Sequence, residues 1–334
     1  MALSDMKVYN DDIVGTTIEL LGQKTDQFNA ASGGAIVLST ASWRGDFSRE
    51  SFFNQIASAK RRVDRYAAIA SQAATALTQG EHVGVKVAGG FGPVLFEPAQ
   101  MTWLNEDPAS AIRAISEGFS DALLADQLNT AVGAAVAAVS GQAALVNDVS
   151  ATVGLSLNVL NNSHAKFGDQ SQLLITDIMT GAAYHTLVDK ALTNANQLFV
   201  AGNVMVVDVL GKRYVISDIP ALYEAGTTDK TGTTDKTGTP NKTKVLSVVA
   251  NGIIVDNASD IISNIDTSNG NTRIQTTWQA DYSFGLKLKG YSWDVANGGK
   301  SPLDAGLFTA ANWDKAVAEN KHTLGTLAIA DADK

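Results

Sequence analysis

Apolar positions recur at three- and four-residue steps in two long stretches of the chain. After Asp107-Pro108, an N-cap followed by proline at the first helical position, the series Ile112, Ile115, Phe119, Leu123, Leu124 and Leu128 predicts a helix reaching about Ser140. At 1.5 Å rise per residue it is about 45–50 Å long, the dimension of a spine that other elements cross. Leu173, Leu174, Ile178, Tyr184, Leu187, Val188 and Leu192 predict a second helix over 169–195, with Asp169 as its N-cap. Ser48, with Phe52, Phe53 and Ile56 behind it, predicts the start of another, and an Ala-rich helical stretch follows as far as Leu77. A last helix is expected over 302–319, signalled by Ser301-Pro302.

Period-two alternation marks the strands. Gly34 to Ser39 is one; Val83, Val85 and Val87, then Val94, Leu95 and Phe96, predict a hairpin turning at Gly89-Gly90. Further strands are expected at 202–210, 213–217, 245–256, 272–289 and 324–329. Residues 1–32 are poor in core positions, apart from residues such as Val8, Tyr9 and Ile13; they read as an arm, with a short helix over about 12–23, that needs another surface to lie on. Residues 226–237 repeat GTTDKT twice and read as an exposed flexible loop. The order of elements is α+β and interleaved, without regular βαβ alternation.

Composition narrows the function. The 334 residues contain no cysteine, which excludes disulfide scaffolds and thiolate metal sites. The four histidines are too dispersed for a local metal motif, so no cofactor is predicted. Charged residues make up only 18%, and the net charge of −9 lacks the basic footprint of a free nucleic-acid binder. The N-terminus has no secretory pattern, and the weakly charged stretch Leu128–Val146 is too polar to predict a membrane span.

Few motifs carry chemistry. Gly89-Gly90-Phe91-Gly92-Pro93 is followed by a strand-like VLFE, where a phosphate loop would need a helix N-terminus. No nucleophile-elbow, SxxK or Walker pattern occurs, and no carboxylate is singled out, so no catalytic residue is assigned. Lys60, Arg61, Arg62 and Arg65 form the only dense positive cluster. It reads as a solvated helix face, as a short nucleic-acid contact beside Tyr66, or as a contact with an acidic patch on a neighbouring copy.

Gly290-Tyr291-Ser292-Trp293, Ser301-Pro302-Leu303 with Leu307, and Asn312-Trp313-Asp314 resemble the C-terminal signature of tailed-bacteriophage major capsid proteins, with Leu303 where threonine is usual. Weaker matches follow in the same order as in that family: Phe28 to Leu38, Gly45 to Phe47, Phe167-Gly168-Asp169 before Met179, Tyr184 and Leu187, and Gly211 to Asp218. The resemblance implies the Hong Kong 97-type capsid fold. Its parts would be an N-terminal arm over 1–32, an extended loop over 33–103, a peripheral domain with spine helix over 104–165, an axial domain over 166–270 that carries the GTTDKT loop, and a peripheral return over 271–334. It implies a non-enzymatic subunit that assembles with itself as hexamers and pentamers into an icosahedral shell around double-stranded DNA, bound without sequence specificity. The implied partners are a separate scaffolding protein, a portal and a cement protein, with no membrane. The implied location is the virion, after assembly in the host bacterial cytoplasm. Intersubunit contacts are expected from Val8, Tyr9 and Ile13 in the arm, from Arg61, Arg62 and Arg65, and from Val85, Val87, Phe91, Val94 and Phe96 in the hairpin. A tail tube, decoration or surface-layer protein is the alternative, and an enzyme with a site of dispersed carboxylates is a third reading.

Overall fold

The computed structural model describes residues 16–26, 28–30, 32–39, 43–53, 60–69, 71, 74, 76, 79–96, 108–194, 212–226, 239–257, 260–269, 272 and 274–334. Val8, Tyr9, Ile13, the expected strand over 202–210 and the GTTDKT repeat lie outside them.

Helix α1 spans 16–26, close to expectation. It docks on its own subunit: Leu21 is buried in the core, and Lys24 Nζ reaches Ser120 Oγ at 3.0 Å and Asp121 Oδ1 at 2.5 Å on the long helix. That helix, α2 (Pro108–Ser140), follows the sequence reading over 33 residues. Residues 115–140 are long and apolar enough to cross a membrane by length and composition. Here they form a core helix, in which Val132, Ala134, Ala135, Ala138 and Val139 are fully buried. Alanine and glycine in the second half let neighbours approach closely; Phe308 packs against Gly133, where a Cβ would overlap its ring.

The strands form two six-stranded sheets and a small pair. In the first sheet the order is β1 (Ile36–Ser39), β9 (Ile253–Asn257), β11 (Gln275–Leu288), β3 (Gln79–Phe96), β2 (Phe47–Phe53), with β10 (Ile262–Ser268) on the far half of β11. The second runs β4 (Val146–Asp148), β14 (Gly325–Asp331), β8 (Lys242–Val249), β5 (Leu174–Met179), β6 (Arg213–Ile216), with β7 (Tyr223–Glu224) on β8. β12 (Tyr291–Trp293) pairs with β13 (Trp313–Lys315). One core cluster joins α2 to both sheets; a second lies between α3 (Leu157–Ala165), α4 (Gly181–Asn194) and the outer face of the second sheet. β1 ends its sheet with a side chain in place of a strand: Asn29 Nδ2 donates to Leu38 O at 2.8 Å, and Leu38 N donates to Asn29 Oδ1 at 2.9 Å.

Four expectations are corrected. Residues 47–53 are strand β2, paired antiparallel with 79–85, rather than a helix started by Ser48. Residues 60–69, 71, 74 and 76 are not helical; Val63, Tyr66 and Ile69 there are exposed, so no buried face supports a helix that would be marginal alone. The expected helix over 169–195 divides into a 3-10 segment Gly168–Leu173, strand β5 and helix α4. Leu174 and Ile178 stand four apart, a spacing that also puts them on one face of a strand. Asp169 therefore caps no helix; it lies 3.5 Å from Lys321. Finally, 302–319 contains only one turn of helix, α6 (Asp304–Leu307), a 3-10 turn and β13, and Val295–Gly298 forms the other short helix, α5. The tryptophans of this segment anchor its loops: Trp293 and Trp313 meet edge-to-face at 4.9 Å, and their Nε1 groups donate to Gly299 O and Leu307 O.

Candidate assembly surface

The hairpin exists, but not where the glycines predict it. β3 runs unbroken through Gly89 and Gly90, pairing with β11, and the turn of the antiparallel pair is the connection from 54 to 78 between β2 and β3. The glycines serve close approach. A Cβ at Gly89 would stand 2.7 Å from Tyr282 Oη, and one at Gly90 would stand 2.7 Å from Asp281 Oδ1. A shift of register opposite Trp278 and Ala280 marks a bulge at Gly92-Pro93.

Alternation along β3 is real, yet it sorts the expected contact residues differently. Val85 and Val87 are buried in the subunit's own core, beside Phe284 and Leu286. The expectation that they contact neighbours is corrected: alternation shows that one face is covered, and this chain covers it itself. Phe91 also packs inward, stacked on Tyr282 and edge-on to Phe119, each at 5.5 Å. Val94 is 51% exposed, as is its neighbour Leu95 at 54%. Phe96 pairs with Thr276 through its backbone, and its side chain lies outside the described residues.

Beyond β2, Lys60, Arg61, Arg62 and Arg65 are exposed, together with Tyr66 at 93%. An Asp64 carboxylate accepting from Tyr66 N at 2.9 Å makes a local turn there. The stretch combines guanidinium groups with bare apolar side chains, and among the described residues it belongs to no strand or helix.

Two carboxylates fix the surface that carries the hairpin. Asp126 on α2 accepts from Tyr282 Oη at 2.5 Å. Burial raises the Asp126 pKa, against the lowering effect of the tyrosine bond, and nearby Asp304 raises it further. Burial and the Asp126 carboxylate likewise push the Tyr282 hydroxyl far up, so the tyrosine is the donor. Asp260, before β10, is opposed by its partial burial but accepts from Ser283 N, from Ser283 Oγ and from Lys86 Nζ at 3.0 Å; the net result lowers its pKa.

The structure also gathers His164, Asp177 and Ser247 in the second sheet. His164 Nε2 lies 3.1 Å from Asp177 Oδ1 and 3.0 Å from Ser247 Oγ. One nitrogen faces both oxygens, so the ring does not relay a proton between them as a nucleophilic triad requires. All three residues are buried. A cavity of about 150 Å³ on the first sheet is lined by residues that include Ser48, Glu50, His82 and Lys287. Its Lys287 ammonium is already engaged by Glu50 at 2.9 Å and Asp256 at 3.4 Å. Among the described residues no three His, Asp or Glu side chains converge as a metal site.

Comparison with known proteins gives the chain a class: a family model of capsid proteins matches residues 5–327. The chain belongs to that family, Gp13-like, described as major capsid protein 13-like. No curated protein sequence matches it. Among solved structures it is similar to a subunit of the cyanophage Pam1 capsid, at 13% identity and a TM-score of 0.49, covering 89% of this chain and 88% of that one. It is also similar to the head protein of Helicobacter pylori bacteriophage KHP40, at 9% identity and a TM-score of 0.48, covering 89% and 88%. A third, from the Ralstonia phage GP4 capsid, has 11% identity and a TM-score of 0.43, covering 78% and 84%.

Proposed function

We propose that this major capsid protein is the repeating subunit of a tailed-phage icosahedral shell with the Hong Kong 97-type division into arm (1–32), extended loop (33–103), peripheral (104–165 and 271–334) and axial (166–270) parts. It assembles as hexamers and pentamers around packaged double-stranded DNA, in the host bacterial cytoplasm, with a separate scaffolding protein, a portal and a cement protein as partners. The family match over residues 5–327 carries the reading. Its support in the structure is the β2–β3 hairpin, which leads to Arg61, Arg62, Arg65, Tyr66 and Ile69, exposed groups that the subunit's own core does not take up. On a chain of net charge −9, such an exposed cationic stretch is attracted to the acidic surface of another copy. Weak contacts of this kind become decisive when symmetry repeats them over a closed shell.

The test is negative-stain electron microscopy with light scattering, on wild type and on the Arg61→Glu, Arg62→Glu double variant. Wild type should form closed shells or rings of five or six. The variant should lose at least about tenfold in assembled fraction while its thermal midpoint stays within about 2 °C. Shells that form equally well in the variant would remove the charge-pairing contact. A wild-type chain that stays monomeric with its scaffold present would remove the shell reading.

A further inference from the structure

The root of the hairpin is held by an unusual seat. Trp43, in the segment between β1 and β2, lies on the outward face of the first sheet, opposite the buried Val83, Val85 and Leu286. Its ring occupies the room left by two absent side chains. A Cβ at Gly84 on β3 would stand 2.9 Å from Trp43 Cη2, and a Cβ at Gly285 on β11 would overlap the indole outright. The ring is buried although it rests on the solvent side of the sheet. Lys287 Nζ lies 5.3 Å from the ring centroid and binds Glu50 on β2 and Asp256 on β9. Trp43 Nε1 donates to Gly45 O at 2.9 Å, within the turn that delivers the chain into β2; Gly45 has a φ of +80°, and Lys86 N donates to Asp46 O at 3.0 Å beside it. One indole and one ammonium thus tie β2, β3, β9, β11 and the entry turn at a single point.

We infer that Trp43, with Lys287, is the positioning residue that sets the direction in which the β2–β3 hairpin leaves the subunit, and so the registry of shell assembly. The inference rests on the shell reading above. Gln79 and Val85 stand six residue steps apart along β3. At 3.3 Å per residue that is a lever of about 20 Å, so a tilt of about 10° at the root displaces its far end by about 3–4 Å. A displacement of that size breaks an ion pair or hydrogen bond made at the end of the hairpin. Burial in the core does not supply this control, because the inward valines fix only how the base of β3 sits. The seat acts on the outer face, beside the bond from Lys86 N to Asp46 O and next to Val83, whose N donates to Ser292 Oγ at 3.1 Å and ties β3 to β12.

The experiment compares full-length wild type with Trp43→Ala, Trp43→Phe and Lys287→Gln. Amide exchange is read in β2–β3 and in β14, and shell diameters are read by electron microscopy. In Trp43→Ala, amides of β2 and of residues 79–85 should exchange at least about tenfold faster while β14 is unchanged. The shells should show a broadened range of diameters, and Trp43→Phe should restore most of both properties. Unchanged exchange and unchanged diameters in Trp43→Ala overturn the inference. If that variant is insoluble, Lys287→Gln decides: a smaller shift of the same two readouts supports it, and wild-type behaviour overturns it. Should wild type form no shells even with its scaffold present, the shell reading fails separately, and the exchange measurement on the unassembled chain still decides whether the seat holds the hairpin.

Discussion

In the second sheet, β14 is buried at all seven positions and β8 at six of eight, whereas β10 of the first sheet alternates between exposed and half-buried. The second sheet has α3 and α4 over one face and α2 with the main core over the other. The first has a covered face at Val85, Val87, Phe284 and Leu286, but its outer half carries Val94, Leu95 and Ile262 in solvent, and its hairpin leads into an exposed cationic stretch. The second sheet is covered on both faces within one chain, and the first keeps apolar side chains in solvent at its outer half. The two halves of the fold should therefore respond to mutation through different observables, the second in folding and the first in assembly.

The sharpest separation comes from truncating one leucine in each sheet. Leu327→Ala in β14, where the side chain is fully buried, should cost about 3 kcal/mol in urea unfolding. Leu95→Ala, more than half exposed, should change subunit stability by less than about 0.5 kcal/mol. Equal losses at the two positions would end the contrast.

A smaller effect is expected where α2 joins the first sheet. Tyr282→Phe removes the donor to Asp126 and should cost about 1–2 kcal/mol at pH 7. Asp126 already has a raised pKa, burial being the main cause, and loses a contact that lowers it. A carboxyl with a raised folded pKa gains stability as pH falls through that value, so the deficit of the variant should shrink between pH 7 and about pH 4. A deficit that is constant with pH would mean that Asp126 does not respond.

The smallest belongs to Asp260. Its folded pKa lies below the ordinary 3.8, so the stability it adds is present above that pH and is lost as pH falls towards the folded value. Asp260→Asn should lower the thermal midpoint slightly at neutral pH and flatten its fall below about pH 4. The side chain is 40% exposed, which with solvent screening keeps the effect under about 1 kcal/mol. An unaltered acid limb in the variant would assign the pH dependence elsewhere.

How much of this was legible in the sequence depended on whether a pattern had one physical cause or two. The long helix was plain, because Ile112, Ile115, Phe119, Leu123, Leu124 and Leu128 mix three- and four-residue steps, which the strict alternation of a strand does not reproduce for so long. Leu174 and Ile178 satisfied helix and strand alike, and the neighbours that made them a strand, β8 and β6, come from elsewhere in the chain. Gly89-Gly90 signalled a turn, yet glycine also marks close approach, and the group that approaches is Tyr282, nearly two hundred residues on. The cationic stretch was found because charge density is local. The burial of Val85 and Val87 within the subunit was not, since alternation never says which chain covers a face. Trp43 left no signal at all: its seat is made by glycines on two separate strands, and the sequence does not place them side by side.

Asn29 gives the edge of β1 a counterfeit neighbour: its amide satisfies both backbone groups of Leu38 as a strand would. In a crowded assembly, where many identical sheets meet at high local concentration, the commonest error is one sheet growing into the next. Here the β1 edge is occupied at Leu38 by the chain's own amide, which disfavours pairing through that edge. A single amide thus guards it.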